Sequence, residues 1–81
     1  MKLRVKLFAI LKHVAGEDEL DVELPAGSTI EDLRGAIAEA RPDLAAIMPS
    51  VLFAVNSEYA TGQTVVEPGK EIACIPPVSG G

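Results

Sequence analysis

Two segments near the N-terminus alternate apolar and charged residues with a period of two, which is typical of half-buried β-strands. Residues 2–10 place their apolar and basic side chains on opposite faces, namely Leu3, Val5, Leu7 and Ala9 against Lys2, Arg4 and Lys6. Residues 19–24 do the same with an acidic outer row, formed by Glu19, Asp21 and Glu23. Because opposite charges attract across neighbouring strands, the pattern predicts an antiparallel hairpin with charge pairs between its strands.

The next periodic segment repeats its apolar residues every three or four positions, which predicts an amphipathic helix. Its apolar stripe consists of Ile30, Leu33 and Ile37. Two overlapping capping boxes precede the stripe, Ser28 with Glu31 and Thr29 with Asp32. Pro42 disfavours helical geometry at Arg41, so the helix is predicted to span residues 30–41. The following segment, PDLAAIMP, is predicted to form a short helical turn.

The second half of the chain is predicted to add strands to the same sheet. Residues 51–55 are apolar on both faces, as in a strand near the centre of a sheet, and residues 61–66 (TGQTVV) are predicted to form a short edge strand. Pro68 and Gly69 fit the two central positions of a type II turn. A last strand follows at residues 71–75. The predicted class is therefore α+β, in the order ββαββ, with one main helix packed on one face of the sheet.

Composition narrows the class of protein. The 81 residues suffice for one domain, and a hydrophobic fraction of 48% permits a sizeable core. A net charge of −5 argues against nucleic acid and against anionic membrane surfaces as partners. No apolar run approaches the length of a membrane span, and the alternation at residues 2–7 is that of a strand and not of a signal peptide. Cys74 is the single cysteine, which excludes an internal disulfide and favours a cytoplasmic location.

The last six residues, PPVSGG, are predicted to form a flexible, extended tail on a domain that spans residues 1–75. Pro76 and Pro77 favour polyproline geometry and cannot donate ladder hydrogen bonds, so the sheet is predicted to end before them. Six residues reach about 20 Å when extended. Since Gly80 and Gly81 have no Cβ atom, they fit a channel too narrow for other residues. The tail is therefore predicted to deliver a terminal carboxylate into a partner's active site, with a frayed terminus as the alternative.

Four segments carry a resemblance that spans the whole chain. They are VKLFAILKHVAG at 5–16, GSTIEDL at 27–33, AVN at 54–56 and GKEIACIPPVSGG at 69–81, of which the final PPVSGG is the most specific. In these segments the chain closely resembles the MoaD-type sulfur carriers, the small subunits of molybdopterin synthase, which are a branch of the ubiquitin-like β-grasp proteins. The family usually has an acidic residue where Lys70 stands, so the local charge pattern departs from that of the family.

The resemblance implies a β-grasp fold with a mixed sheet, and chemistry at the chain end. The α-carboxylate of Gly81 is anionic at neutral pH and a poor electrophile. An adenylyltransferase similar to ubiquitin-activating enzymes would use ATP to convert it to an acyl-adenylate. A sulfur donor protein would then leave a thiocarboxylate. Its sulfur would pass to a pyranopterin precursor held by the large subunit of molybdopterin synthase.

The resemblance also assigns roles to the other tail residues. Gly80 would give Gly81 access to a partner's active site, and the residues that position it would be Pro76, Pro77, Val78 and Ser79. The catalytic groups would lie on the partners, so no cofactor is expected to bind the chain itself. The family further implies a heterotetramer of two large and two small subunits.

The chemistry-bearing residues inside the domain fit structural roles better than catalytic ones. His13 follows the first strand in a predicted loop and is interpreted as a surface residue, because no motif supplies it with a nucleophile. Cys74 alternates within the last strand and is interpreted as a packed thiol and not as a sulfur-relay nucleophile. The acidic residues at 17–23 lack the spaced glycine of a calcium loop and are interpreted as a solvated strand edge. With no CxxC motif in the sequence, no metal site is predicted.

A partner-binding patch is predicted where the tail leaves the domain. Phe8 and Ile10 share the charged face of the first strand, out of phase with its apolar residues. Together with Tyr59, in a predicted loop, and Ile75, at the root of the tail, they are predicted to dock on the large subunit and on the adenylyltransferase. The alternative is that Phe8 packs under residues 11–16. The acidic face is expected to steer the domain toward basic surfaces on both partners.

Three other functions stay open at this point. The first is a sulfur carrier for another pathway, namely thiamine synthesis, cysteine synthesis or tRNA thiolation. The second is a protein modifier that joins Gly81 to lysines through isopeptide bonds. The third is a binding module whose tail is incidental. The full-length resemblance and the PPVSGG terminus favour the molybdopterin pathway, but the chemistry of the tail is the same for every sulfur acceptor.

Overall fold

The computed structural model describes residues 1–77, which form one mixed sheet of five strands with three helices. The strands are β1 (Lys2–Leu7), β2 (Glu19–Glu23), β3 (Leu52–Val55), β4 (Glu58–Ala60) and β5 (Ile72–Ile75). The helices are α1 (Ile10–Ala15), α2 (Ile30–Ala40) and α3 (Pro42–Ala45), and a 3-10 turn spans Met48–Ser50. The strand order is β2-β1-β5-β3-β4, which puts β5 at the centre. β1 and β5 are parallel, and the other neighbours are antiparallel.

The predicted N-terminal hairpin is confirmed. Arg4 faces Asp21 across β1 and β2, with its Nε 3.3 Å from the carboxylate. Lys6 faces Glu19, but its Nζ lies 3.6 Å from the carboxylate of Glu71, next to β5. Each of these exposed ion pairs contributes only about 0–1 kcal/mol. The strand register is fixed instead by alternate buried side chains. These are Leu3, Val5, Leu7, Leu20 and Val22.

Helix α2 begins at the second of the two capping boxes. The Thr29 hydroxyl accepts a hydrogen bond from the backbone N–H of Asp32 at 3.3 Å, and the Asp32 carboxylate accepts one from the backbone N–H of Thr29 at 2.9 Å. Ser28 instead donates its hydroxyl to the carbonyl of Pro25 at 2.7 Å. The helix ends one residue before its predicted end, and α3 follows as the short helical turn that the sequence predicts.

The apolar stripe of α2 packs against one face of the sheet and closes the core. Its three residues are fully buried, and the burial of each such side chain stabilises the domain by about 1.5–3 kcal/mol. Arg34 lies beside the stripe. Its guanidinium donates to the carbonyl of Val51 at 2.8 Å and lies 5.0 Å from the centre of the Phe53 ring. These contacts hold α2 against the start of β3, whose alternate side chains lie on the open face of the sheet.

β1 is shorter than predicted. It ends at Leu7, and residues 10–15, predicted as the end of a strand and a loop, form α1. Ala9 turns the chain with a positive φ of 53°, and the carbonyl of Phe8 accepts a hydrogen bond from the N–H of Leu11 at 3.1 Å. The prediction is wrong here because six residues form fewer than two helical turns and no side-chain cap marks the start of the helix.

The edge strand also lies in a different place from the prediction. β4 precedes residues 61–66, in which Val65 forms a single bridge with Thr29. Asn56 and Ser57 have positive φ angles of 49° and 69°, as a two-residue hairpin turn requires, so the chain reverses directly after β3. Without glycine at either position, the sequence gives no strong turn signal. The observed order of elements is therefore βαβααβββ, where the sequence predicts ββαββ.

Candidate functional site

The face of the sheet opposite the helices is open, and its two halves differ in chemistry. On β1 and β2 it carries the two charged rows. On β5, Ile72 and Cys74 turn to the core, so Ala73 and Ile75 turn outward. The register then places Leu52 beside Ile75, and Ala54 between Ala73 and Tyr59. The apolar half is called the open-face patch here, and it consists of Phe8, Leu52, Ala54, Tyr59, Ala73 and Ile75.

Three side chains of the open-face patch are strongly exposed. The exposed fractions are 46% for Phe8, 49% for Leu52 and 73% for Tyr59. A shallow cavity of about 260 Å³ lies within the patch, lined by Phe8, Ala54, Ser57, Tyr59, Glu71, Ala73 and Ile75. Over residues 1–77, Glu71 is the only charged side chain of this lining. Exposed apolar side chains gathered in this way are typical of a surface that binds another protein.

The structure brings together three of the residues that the sequence singles out for partner binding. Phe8, Tyr59 and Ile75 line the same cavity, although Tyr59 lies on β4 and not in a loop. Phe8 is 46% exposed, which favours its place in the patch over the alternative that it packs under residues 11–16. Ile10 is exposed as well, but it lies on α1 and does not line the cavity.

The chain leaves the sheet at the border of the open-face patch. Ile75 ends β5, and the next two residues are Pro76, which is half-buried, and Pro77, which is exposed. Their role in positioning the tail stays a prediction. The other predicted site residues, Val78, Ser79, Gly80 and Gly81, lie outside the described residues, as does most of the predicted tail.

Five residues of the site are not predicted from the sequence. They are Leu52, Ala54, Ser57, Glu71 and Ala73. Leu52 and Ala54 carry a usable signal, because a strand that is apolar on both faces must place half of its apolar side chains outward. Glu71 and Ser57 carry none, since their place in the cavity depends on the tight turn after β3.

A tight turn and two hydrogen bonds fix one side of the cavity. Asn56 donates its N–H to the carbonyl of Glu71 at 2.8 Å, and its side-chain Oδ1 accepts the N–H of Glu71 at 3.0 Å. In the described chain, the non-glycine residues with positive φ are Ala9, which follows Phe8, and the turn residues Asn56 and Ser57. Such backbone conformations are unfavourable for most residues other than glycine, least so for Asn, and they cluster at functional sites. All three flank or line the cavity.

Cys74 faces the core and takes no part in the open face. Its side chain is completely buried, and desolvation raises the pKa of the thiol to about 12, against a smaller lowering effect from Arg34. The thiol is therefore neutral at pH 7 and inert as a nucleophile, as the sequence predicts. His13 is exposed, which confirms its predicted surface position, but it lies on α1 and not in a loop.

The acidic side chains at 17–23 are exposed on and beside the edge strand β2, as the sequence predicts, and three of them pair with basic side chains. The ion pairs are Glu17 with Arg41 at 2.6 Å, Asp18 with Lys12 at 3.2 Å and Asp21 with Arg4 at 3.3 Å. Arg41 also donates to Asp43 and thereby lowers the pKa of that carboxyl below its ordinary value. Within the described range, no group of three or more His, Cys, Asp or Glu side chains is placed to hold a metal ion. In the same range no helix has the length and apolarity to cross a membrane.

A mixed sheet that holds its longest helix on one face, with the chain end following its central strand, defines the ubiquitin-like β-grasp class. The predicted α+β, β-grasp fold is thus confirmed. The chain belongs to the ThiS family, whose model matches residues 5–81.

Individual relatives agree with this family. The molybdopterin synthase sulfur carrier subunit of Chlamydomonas reinhardtii is 41% identical over 83 aligned positions that cover both chains completely. The crystal structure of SAMP1 from Haloferax volcanii has a TM-score of 0.85 and 30% identity, again with 100% of both chains covered. A crystal structure of the H. volcanii small archaeal modifier protein 1 has a TM-score of 0.83 and 28% identity, with 95% of this chain and 98% of that chain covered. The predicted resemblance to the MoaD-type sulfur carriers is confirmed.

Proposed function

We propose that this chain is the sulfur carrier subunit of a molybdopterin synthase and that Gly81 carries the sulfur. The observation that carries the proposal is the match to a named sulfur carrier subunit over the full length of both chains. The buried thiol of Cys74, with its pKa raised to about 12, supports the assignment to Gly81, because the one cysteine of the chain is unsuited to carry sulfur itself.

The reaction sequence begins with activation of the Gly81 carboxylate. An adenylyltransferase similar to ubiquitin-activating enzymes joins the carboxylate to the AMP part of ATP and releases pyrophosphate, which makes the carbonyl carbon electrophilic. A sulfur donor protein then supplies sulfur at the oxidation level of sulfide, which attacks the carbonyl carbon, displaces AMP and leaves a thiocarboxylate. The large subunit of the synthase transfers this sulfur to a pyranopterin precursor, and two carriers in turn complete its dithiolene.

The open-face patch is the docking surface in this scheme. Its exposed aromatic side chains, Phe8 and Tyr59, together with Ile75, bind the large subunit and, in a separate complex, the adenylyltransferase. Large aromatic side chains at the centre of an interface contribute most of its binding free energy. The patch also lies next to the point where β5 ends, so docking places the chain end at the partner's surface.

The residues after β5 guide the reactive end. Pro76 and Pro77 donate no ladder hydrogen bonds and so direct the following residues away from the sheet. In this proposal, Val78 and Ser79 extend the segment that begins with the two prolines. Gly80, which has no Cβ atom, allows Gly81 to enter a narrow channel. The catalytic groups belong to the partners, and the chain itself binds no cofactor. The proposed assembly is a heterotetramer of two large and two small subunits in the cytoplasm.

Sulfur loading tests the proposal directly. The purified chain is incubated with ATP, the adenylyltransferase and a sulfur donor protein, and its intact mass is measured. We expect the mass to rise by the difference between one sulfur and one oxygen atom, and the loaded chain to convert the precursor once the large subunit is added. A chain that stays unmodified under these conditions contradicts the proposal.

Deletion of Gly81 is the variant for this experiment. We expect the deletion to abolish sulfur loading and to leave Tm nearly unchanged, because the five strands and the buried core that the structure describes lie within residues 1–77. Thermal unfolding measures the second part. A large fall in Tm would show that the last residue belongs to the folded domain and is more than a carrier of sulfur.

A protein modifier is the second candidate function, favoured by the similarity to the H. volcanii small archaeal modifier protein 1. In that function the activated Gly81 is joined to lysine side chains of other proteins through isopeptide bonds. Lysine-linked adducts in protein isolated from its own cells, without a thiocarboxylate, would favour it. Carriers for thiamine, cysteine or tRNA thiolation form the same thiocarboxylate, and they are distinguished by supplying each acceptor in turn.

A further inference from the structure

We propose that Glu71 determines which partner docks on the open-face patch. It binds a lysine or arginine side chain of the large subunit, while an apolar side chain of the same partner fills the cavity. This inference rests on the proposed function, because it takes the large subunit as the partner. It adds the chemistry of recognition, which is one apolar anchor next to one basic group.

Glu71 supplies a charge to an otherwise apolar or neutral cavity. Among the described residues that line the cavity, the aromatic side chains of Phe8 and Tyr59 and the aliphatic side chain of Ile75 form its walls, and Glu71 is the only charged one. The side chain of Glu71 is 56% exposed, so its carboxylate is open to a group that approaches from outside. A partner that fills the cavity must therefore also cover a carboxylate.

Lys6 leaves room for a second cation at this carboxylate. Its Nζ lies 3.6 Å from Glu71, which is longer than the separation of about 2.7–2.9 Å in a strong charge-assisted hydrogen bond. The lysine side chain is 45% exposed, so water screens the pair. A carboxylate has about four acceptor positions, and one loose ion pair does not use them all.

The backbone of Glu71 is fixed before any partner arrives. Asn56 makes two hydrogen bonds to it, at 2.8 Å and 3.0 Å, from the tight turn that follows β3. A group that is already held in place loses little conformational freedom on association. Asn56 therefore fixes the point on the backbone from which the Glu71 side chain extends.

Burial of this exposed carboxylate by a partner makes binding depend on the chemistry of that partner's surface. When a partner covers the cavity, Glu71 loses water, and a buried carboxylate held only by the loose pair with Lys6 is unfavourable. A partner with a purely apolar surface is therefore disfavoured, although it fits the shape of the cavity. A partner with a basic side chain opposite Glu71 binds more tightly, and this difference in binding free energy between the two kinds of partner is the source of specificity.

Two matched substitutions test the inference. Glu71→Gln removes the charge in the cavity, and Glu67→Gln removes the same charge elsewhere, because Glu67 pairs with Lys70 at 3.7 Å, is 62% exposed and does not line the cavity. Titration calorimetry against the large subunit gives Kd for each variant. We expect Kd to rise about tenfold for Glu71→Gln and to stay within about twofold for Glu67→Gln. The difference between them should shrink at high salt.

A third variant separates recognition from a purely structural ion pair. Lys6→Gln breaks the same pair from the other side and frees the carboxylate of Glu71. If Glu71 binds a basic group of the partner, Lys6→Gln keeps or strengthens binding. If Glu71 serves only to hold Lys6, the two variants change Tm alike and leave Kd alone, and the inference is overturned.

Failure of the inference and failure of the proposed function look different in this experiment. A wild-type chain that does not bind the large subunit at all removes the proposed function. A wild-type chain that binds, with equal Kd values for Glu71→Gln and Glu67→Gln, overturns the inference alone.

Discussion

The thiol of Cys74 couples the stability of the domain to alkaline pH. The side chain lies on the core face of β5, and desolvation raises its pKa from the ordinary value of 9.0 to about 12. In the unfolded chain the thiol is solvated and ionises near its ordinary value. Between these two pH values the unfolded state releases a proton that the folded state keeps, so ionisation favours unfolding.

The free energy of unfolding should therefore fall as the pH rises from 9.0 toward 12, and below that window the thiol should have no effect on pH dependence. Urea unfolding at about pH 7 and about pH 10 measures the fall. Cys74→Ala removes the titrating group while keeping the other alkaline groups, so the variant should lose less stability between the two conditions. The same loss in both proteins would show that the thiol ionises without cost in the fold.

At the scale of elements, the turn between β3 and β4 decides where the edge of the sheet lies. Asn56 and Ser57 both have positive φ, and turns of this kind strongly prefer Asn followed by Gly. Asn visits this conformation more readily than other non-glycine residues because its side chain hydrogen-bonds locally, and Ser57, at a φ of 69°, does not share that preference. The strain is thus concentrated at the second residue of the turn.

Ser57→Gly should relieve about 1–2 kcal/mol of strain and lose about 0.4–1 kcal/mol to the greater entropy of the unfolded chain. The free energy of unfolding should therefore rise by up to about 1.5 kcal/mol, with a rise in Tm of up to about 10 °C. Ser57→Ala keeps the Cβ atom and should give no such gain. Differential scanning calorimetry of the three proteins provides the comparison. A glycine variant less stable than the alanine variant would mean that the hydroxyl of Ser57 matters more than its backbone angle.

Elements with an unambiguous period follow from the sequence, and the shortest ones do not. β1, β2 and α2 are recognisable because their apolar residues repeat clearly and because Thr29, Asp32 and Pro42 mark the ends of the helix. Gly69 has a φ of 84°, as the predicted type II turn requires. α1 has six residues and β4 has three, too few for either period to be decisive.

The candidate site was predictable only in its most exceptional residues. Phe8 stands out because it breaks the alternation of β1, and Ile75 because two prolines follow it. The cavity itself depends on β3 lying between β5 and β4, and this arrangement arises from pairing between strands that are distant in sequence. Local periodicity carries no information on such pairing, so the position of Glu71 in the cavity had to come from the structure.

In the molecule as a whole, the two faces of the sheet differ, and under the proposed function one serves folding and the other serves recognition. The face toward the helices holds the buried core, and the open face holds exposed apolar side chains beside charged rows. A residue of the open-face patch should therefore affect partner binding far more than stability. Phe8 is the best residue for this comparison, because it is large, apolar and 46% exposed.

Phe8→Asp should weaken binding to the large subunit by at least about tenfold and leave the domain folded. Val65→Asp is the matched control, because the substitution introduces the same new charge. Val65 is 52% exposed and does not line the cavity. Titration calorimetry gives the affinities, and thermal unfolding shows whether each variant is folded. An unfolded Phe8→Asp protein would place Phe8 in the core, and equal losses for both variants would point to net charge instead of the patch.

The central position of β5 has a mechanical consequence. The strand is hydrogen-bonded to β1 on one side and to β3 on the other, and it leads directly into Pro76. Under the proposed function, a partner that draws the chain end into a channel would pull along this strand. The hydrogen bonds to both neighbours would then be loaded in shear and would have to break together. The domain should therefore stay folded under a force on its C-terminal end that would detach an edge strand such as β4.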